Sequence, residues 1–281
     1  GSIGIVIISG TIIGVILEKT GAAIAITEKV LNLVGNDRAP LAMSFTGWIV
    51  SVPVFCDSGF VILTPLNKAL SVRAGKSMAT MAVALATGLI ATHALVPPTP
   101  GPIAAAANLG ADLGTVIGLG IIVSFVTMIA GYFWAIKVAS KYNIEMELEE
   151  SYDELIQKHG KLPGAFHSAL PLLIPIILIL IRSVALFPTE PFGTGGFYNF
   201  INFFGDPVTA LILGVFVSLT LVVKTNRGVA VSEWMTQGVT YAALILAITG
   251  AGGAFGRVLM NSPMNAFIEE SMAGLPLGYF L

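Results

Sequence analysis

Long apolar runs dominate the chain, and short polar or proline-rich breaks cut them into helical lengths. Residues 1–17 read as the end of a membrane helix, and 78–94, 113–136, 166–187, 208–223 and 240–260 as further crossings. Runs of this length are what a hydrocarbon core ~30 Å thick requires. Residues 21–34 interleave Ile24, Ile26, Val30, Leu31 and Leu33 with Thr27, Glu28 and Lys29. That alternation predicts a shorter amphipathic helix lying in the membrane interface. Residues 41–70 are apolar but broken by Pro53, by Asp57-Ser58-Gly59 and by Pro65, and so read as one kinked span or as a re-entrant hairpin turning near 56–59.

The sharpest interruption is Thr92-His93-Ala94-Leu95-Val96-Pro97-Pro98-Thr99-Pro100-Gly101-Pro102, which sets four prolines within six residues between apolar segments. Proline lacks the amide donor, fixes φ and pushes the preceding residue out of the α region, so 96–101 is expected to be unwound. In lipid an unwound backbone is tolerated only where protein buries it or a watery cavity bathes it, and a broken membrane helix is a usual binding site in transporters. Residues 103–110 supply the short second half.

Loop charge sets the topology. Lys19, Lys29 and Arg38 precede the 41–70 segment, and Lys68, Arg73 and Lys76 follow it. Both flanks are therefore cytoplasmic by the positive-inside rule, which favours the hairpin. The loop at 137–162 carries four lysines and the acidic run 145–150, whereas 188–206 holds no Lys or Arg and faces outward. Gly10-x-x-x-Gly14-x-x-Leu17 recurs as Gly252-x-x-x-Gly256-x-x-Leu259, in a segment of opposite direction on this topology. Two copies of opposite orientation mark an inverted repeat.

Composition agrees: 55% of residues are hydrophobic and 11% charged, with mean hydropathy +0.88. Soluble domains carry ~25% charged residues. The net charge of −2 is spread over short loops and offers no basic face for nucleic acid, and a single cysteine, Cys56, excludes a disulfide framework. No cofactor or metal motif is present. The reading is an all-α, polytopic membrane protein with inverted repeats, a re-entrant hairpin and a broken transmembrane helix. It forms one transporter domain over 1–281, expected to continue beyond both ends. The first repeat covers 1–137, with its hairpin at 41–70 and broken helix at 78–110; a cytoplasmic loop covers 138–165, and 166–281 begins the second, inverted repeat.

Candidate chemistry gathers at the two breaks. The half-helix opened by Gly101-Pro102 points its positive dipole end and several amides into the break, which suits a carboxylate. His93 lies beside the break, where its imidazole could exchange a proton near neutral pH or cap an orphan carbonyl. Asp57 sits in an apolar hairpin, where it could carry a proton, bind a cation or cap the second arm. Thr92, Ser58 and Asn108 are polar groups that could meet hydroxyls.

These residues carry a resemblance. Thr92 through Ala107, T-H-A-L-V-P-P-T-P-G-P-I-A-A-A-A, resembles the signature of the gluconate permease family, bacterial proton symporters for gluconate and related sugar acids. Val52-Pro53-Val54-Phe55-Cys56-Asp57-Ser58-Gly59-Phe60-Val61 is similar to that family's hairpin element, and Gly250-Ala251-Gly252-Gly253-Ala254-Phe255 to its later glycine-rich helix. Cys56 stands where the family commonly has a second phenylalanine, and Thr99 where many members have histidine. The resemblance implies a multi-pass carrier of the bacterial inner membrane that imports a small carboxylate with a proton. Ser58, Gly59, Thr92, His93, Pro98, Thr99, Gly101, Pro102 and Asn108 would then line the substrate site, with Asp57 or His93 exchanging the proton. Sodium coupling and another substrate such as D-serine stay open, as does homo-oligomerisation. A channel and an intramembrane enzyme are the more distant readings, the latter because no nucleophile and base pair with one another.

Overall fold

The computed structural model describes residues 2–52, 55–144, 160–186, 191–193, 195–222 and 227–264, with single positions at 154, 157, 267 and 270. Pro53 and the acidic run 145–150 lie outside the described residues, and so do the side chains of Ser58, Pro100 and Asn108. All regular structure among the described residues is helical. In order, α1 is Ser2–Lys19, α2 Ala22–Val34, α3 Ala39–Val50, α4 Cys56–Arg73, α5 Met78–Leu95 and α6 Pro100–Leu109. They are followed by α7 Leu113–Lys137, α8 Ala165–Ala185, α9 Gly196–Phe204, α10 Pro207–Leu219 and α11 Met235–Met260, the last preceded by a π-helical turn at Ala230–Trp234. Four helices are long and apolar enough to cross a membrane by themselves, and up to six if each of two bent pairs counts as one span. The chain divides into two compact units, Gly1–Ala242 and Ala243–Leu281.

The side chains are distributed as lipid solvation demands. α7 buries Gly114, Ile117, Gly120, Ser124 and Met128, a narrow stripe of mostly small residues, and exposes Leu119, Ile122, Val123 and Val126. Helices in hydrocarbon gain nothing by hiding leucine from lipid, so they associate through small residues that let backbones approach. A Cβ at Gly47 of α3 would lie 2.8 Å from the Leu85 carbonyl oxygen of α5, and Gly88 of α5 abuts the backbone of Ser44 just as closely. Gly131 of α7 meets Thr87 of α5 in the same manner.

α5 is the hub, packing on α3, α4 and α7. One core cluster joins α2 to α5 through Ile24, Met43, Leu63, Leu70, Met81 and Leu85. A second joins α1, α2, α8 and α10 through Ile13, Ile16, Leu172 and Leu211. A third, Val96, Ile117, Ile179 and Ala210, closes around the end of α5.

Two expectations from sequence change, and a third gains its boundaries. α2 does not turn its apolar residues to lipid as an amphipathic surface helix would: Ala22 to Thr27 and Leu31 are buried against α3 and α8. Its polar Thr27 is absorbed by a bond from its hydroxyl to the Ala23 carbonyl, 2.8 Å, so it needs no water. α1 and α2 bend by 71° at Gly21, whose φ of 70° is a left-handed turn that glycine makes without strain. The outward loop contains a helix, α9, bent 68° from α10. It buries Ile201, exposes Phe197, Phe200 and Phe203, and is held by Arg182 Nε donating to Asn202 Oδ1 at 2.7 Å. Residues 41–70 are divided between α3 and α4. α3, at 12 residues or about 18 Å of helix, is too short to cross ~30 Å of hydrocarbon.

Candidate functional site

α5 ends at Leu95 because Pro97 and Pro98 follow, and residues 96–99 are unwound, with Pro97–Pro98 joined by a cis peptide bond. Protein surrounds most of this turn: Val96, Pro97, Pro98 and Thr99 are all buried. Pro97 and Pro98 face a small apolar cavity closed by Val52, Ile117, Pro171, Pro175 and Leu211, without a polar side chain. On the far side of the turn Gly101 is exposed, with open space where a Cβ would stand.

The start of α4 lies beside the end of α5. Phe55, the N-cap of α4, meets the His93 ring edge-on at 5.4 Å between centroids, and the Asp57 carboxylate lies within electrostatic reach of that imidazole. Asp57 is exposed in the first turn of α4, where the helix dipole favours its negative charge. It is not the cap, since the helix begins one residue earlier. His93 is half-buried and its Nδ1 is buried with no hydrogen-bond partner among the described residues, so capping of an orphan carbonyl is not realised through that nitrogen. Gly59 is buried, and its amide bonds back to the Phe55 carbonyl at 2.8 Å.

The α6 terminus offers less to an anion than the sequence suggested. α6 begins at Pro100, so two of its first three residues are prolines. The Ile103 amide already donates to the Thr99 carbonyl at 3.2 Å, which leaves the Gly101 amide as the accessible donor of that turn. Pro102 is buried.

Two hydroxyls expected to face substrate serve the scaffold. Thr99 Oγ1 donates to the Val96 carbonyl at 2.8 Å and tightens the unwound turn. Thr92 Oγ1 donates to the Trp48 carbonyl at 2.7 Å. That carbonyl is at the end of α3, where helices leave acceptors orphaned, and the Val52 amide that would serve it turns instead to Ile49. Thr92 therefore caps α3 from α5. Trp48, which sequence reasoning missed, is held at its other end by Ser124 of α7, its Nε1 donating to the hydroxyl at 2.9 Å. Its position five residues before Pro53 was the available signal. Asp112, also missed, caps α7 by accepting from the Thr115 amide at 2.8 Å and takes the Ser183 hydroxyl of α8 at 3.2 Å. Burial pushes its carboxyl up, but the bonds from Thr115 and Ser183 and the nearby Arg182 charge outweigh that and hold it below the usual range.

Apolar helices of membrane length around a buried, unwound turn are the setting in which membrane transporters build binding sites. The chain belongs to the GntP permease family: the family model, GntP family permease, matches residues 1–281. It is 38% identical over 294 residues to an uncharacterized permease of Haemophilus influenzae, covering 100% of this chain and 60% of that protein. It is 28% identical over 281 residues to a low-affinity gluconate transporter of Escherichia coli, covering 99% of this chain and 62% of that one. The D-serine transporter DsdX of Escherichia coli is 30% identical over 270 residues, 94% of this chain and 59% of the relative. The chain thus spans about 60% of the length of these curated relatives. They are transporters rather than enzymes, and no solved structure matches the chain.

Proposed function

We propose that the protein is a secondary carrier of the bacterial inner membrane that imports gluconate or a related sugar acid together with a proton. The observation that carries this reading is the packing of the α4 start on the end of α5, where Phe55 meets His93 edge-on and Asp57 stands two residues further on, next to the unwound turn. An exposed carboxylate beside an imidazole with an unpartnered nitrogen is a place where a proton can be taken up and released. The substrate carboxylate would approach the Gly101 amide at the positive end of α6. Its hydroxyls would meet the hairpin tip and the α6 face that carry Ser58 and Asn108. α3 and α4 would be the arms of a re-entrant hairpin, and the α1 repeat would have its inverted counterpart in α11. A monovalent anion carried with one proton moves no net charge, so the pH gradient would drive uptake and voltage would not.

The test follows labelled gluconate in proteoliposomes of the full-length protein under an imposed pH gradient, with Asp57→Asn and His93→Gln. Accumulation driven by an acidic exterior, lost in one variant that retains gluconate exchange, identifies the proton site. Accumulation that follows a sodium gradient at fixed pH would replace the proton with sodium. A second substrate reading, D-serine, is favoured by the 30% identity to DsdX. It predicts that unlabelled D-serine competes with gluconate or displaces it as the preferred substrate.

A further inference from the structure

We propose that a groove between the cytoplasmic ends of α5 and α7 binds an anionic phospholipid. The groove encloses about 540 Å³ and is lined by Ala79 and Val83 of α5, Trp134 of α7, and Lys141, Tyr142 and Ile144 beyond it. It is a built feature, because the Ser77 hydroxyl at the start of α5 donates to the Tyr142 carbonyl at 2.5 Å and fixes the chain after α7 against α5.

Its depth in the membrane follows from helix length. The apolar span that contains α7 runs from Leu113 to Lys141, 29 residues. At ~1.5 Å per residue this is about 43 Å, well beyond a ~30 Å hydrocarbon core even when tilted by ~20°. Its last turns therefore stand at headgroup level. Trp134 and Tyr142 are 62% and 65% exposed there, where indole and phenol rings anchor. Lys137 reaches over the Phe133 ring at 5.8 Å.

Charge selects the lipid. Lys141 lines the groove, Lys137 stands one turn before it over Phe133, and Lys76 precedes Ser77, which ties the chain after α7 to α5; no acidic residue occurs at 58–111 or 113–144. The first turn of α5 adds its positive dipole end, with the Ala79 amide already bonded to Ser77 Oγ at 3.2 Å. An apolar floor for an acyl chain beneath a cationic rim fits a phosphodiester headgroup with a net negative charge.

Quenching of Trp134 by brominated acyl chains tests the site in bilayers of the full-length protein, with Trp134→Phe subtracted to isolate its signal. Brominated phosphatidylglycerol should quench Trp134 at lower mole fraction than brominated phosphatidylcholine, by roughly fivefold for each lysine engaged. Lys76→Gln/Lys137→Gln/Lys141→Gln should bring the two lipids together while an unchanged unfolding temperature reports that the variant is folded. Equal quenching by both lipids, or a preference that survives the triple substitution, overturns the proposal. So does a preference that emerges only when Glu145, Glu147, Glu149 and Glu150 are changed to glutamine, because the groove would then belong to the chain's own acidic segment.

Discussion

Gly120→Ala tests whether the break is held by backbone contact. A Cβ on Gly120 of α7 would lie 3.2 Å from the Leu95 carbonyl carbon, 3.5 Å from Val96 Cα and nearer still to the Leu95 oxygen, at the point where α5 stops. The obstacle is main chain at a helix end, which cannot rotate away as a flexible side chain does. α7 must back off by roughly 1 Å, a gap that forfeits about a quarter to a half of the dispersion energy of the contacts it opens. Overpacking of this kind costs ~1–3 kcal/mol. Gly118, one turn-half away on the same helix, has nothing within 4 Å of its Cβ position, so Gly118→Ala keeps only the gain in helix propensity. That gain is ~1 kcal/mol and is shared by both variants, so their difference isolates the clash. We expect Gly120→Ala to unfold ~1–3 kcal/mol more easily than Gly118→Ala, a gap of roughly 2–12 °C in melting temperature. Thermal unfolding in detergent measures the gap, and substrate exchange in proteoliposomes should fall in Gly120→Ala alone. Equal melting of the two variants would refute the close approach of α7 to the end of α5.

Three further outcomes follow. Thr92→Val leaves the Trp48 carbonyl without its donor and should destabilise the protein by ~1–3 kcal/mol, read from the unfolding temperature; no change would mean that another group caps α3. Asp112→Ala removes the cap of α7 and should cost ~0.5–2 kcal/mol at pH 7. Because the folded carboxyl is held low, its contribution is complete above the unfolded value near ~3.9 and fades as pH falls through the folded value. The difference from wild type should therefore close in acid, and a difference that grew there would contradict the assignment. Asn67 of α4 is wholly buried and neither amide atom has a partner among the described residues, so Asn67→Leu should stabilise by ~1–3 kcal/mol. A fall in melting temperature would instead mean that the carboxamide holds a bound water or ligand.

The break was legible because proline acts locally: Pro97 and Pro98 end a helix whatever packs around them, and α5 stops within a residue of the expected position. The apolar lengths of α7 and α8 were legible for the same reason, since span length depends on the bilayer rather than on neighbours. Burial of α2 was not, because Ile24, Leu31 and their neighbours look alike whether lipid, interface or α8 receives them. α9 was lost among glycines and aromatics whose helical face is fixed by Arg182, twenty residues back. The scaffold bonds of Thr92 and Thr99 were not legible because a hydroxyl's partner is a matter of tertiary structure. The amide count at α6 needed no structure: Pro100 and Pro102 have no N–H to give.

That count bears on how the site discriminates. With one accessible amide at Gly101, the α6 terminus supplies a direction of field more than a set of hydrogen bonds, and it would attract any small anion. On the proposed reading, selection among anions would then come from the α4 start, with Asp57 and the residues around Gly59. Behind the break, Pro97 and Pro98 rest on Pro171 and Pro175, rigid rings that offer no hydrogen bond across that contact. The turn thus meets apolar surface alone on that side, while Gly101 after it is exposed. A substrate engaging both α4 and Gly101 would bridge two segments that each pack on α5, α4 in part through Phe55 on His93.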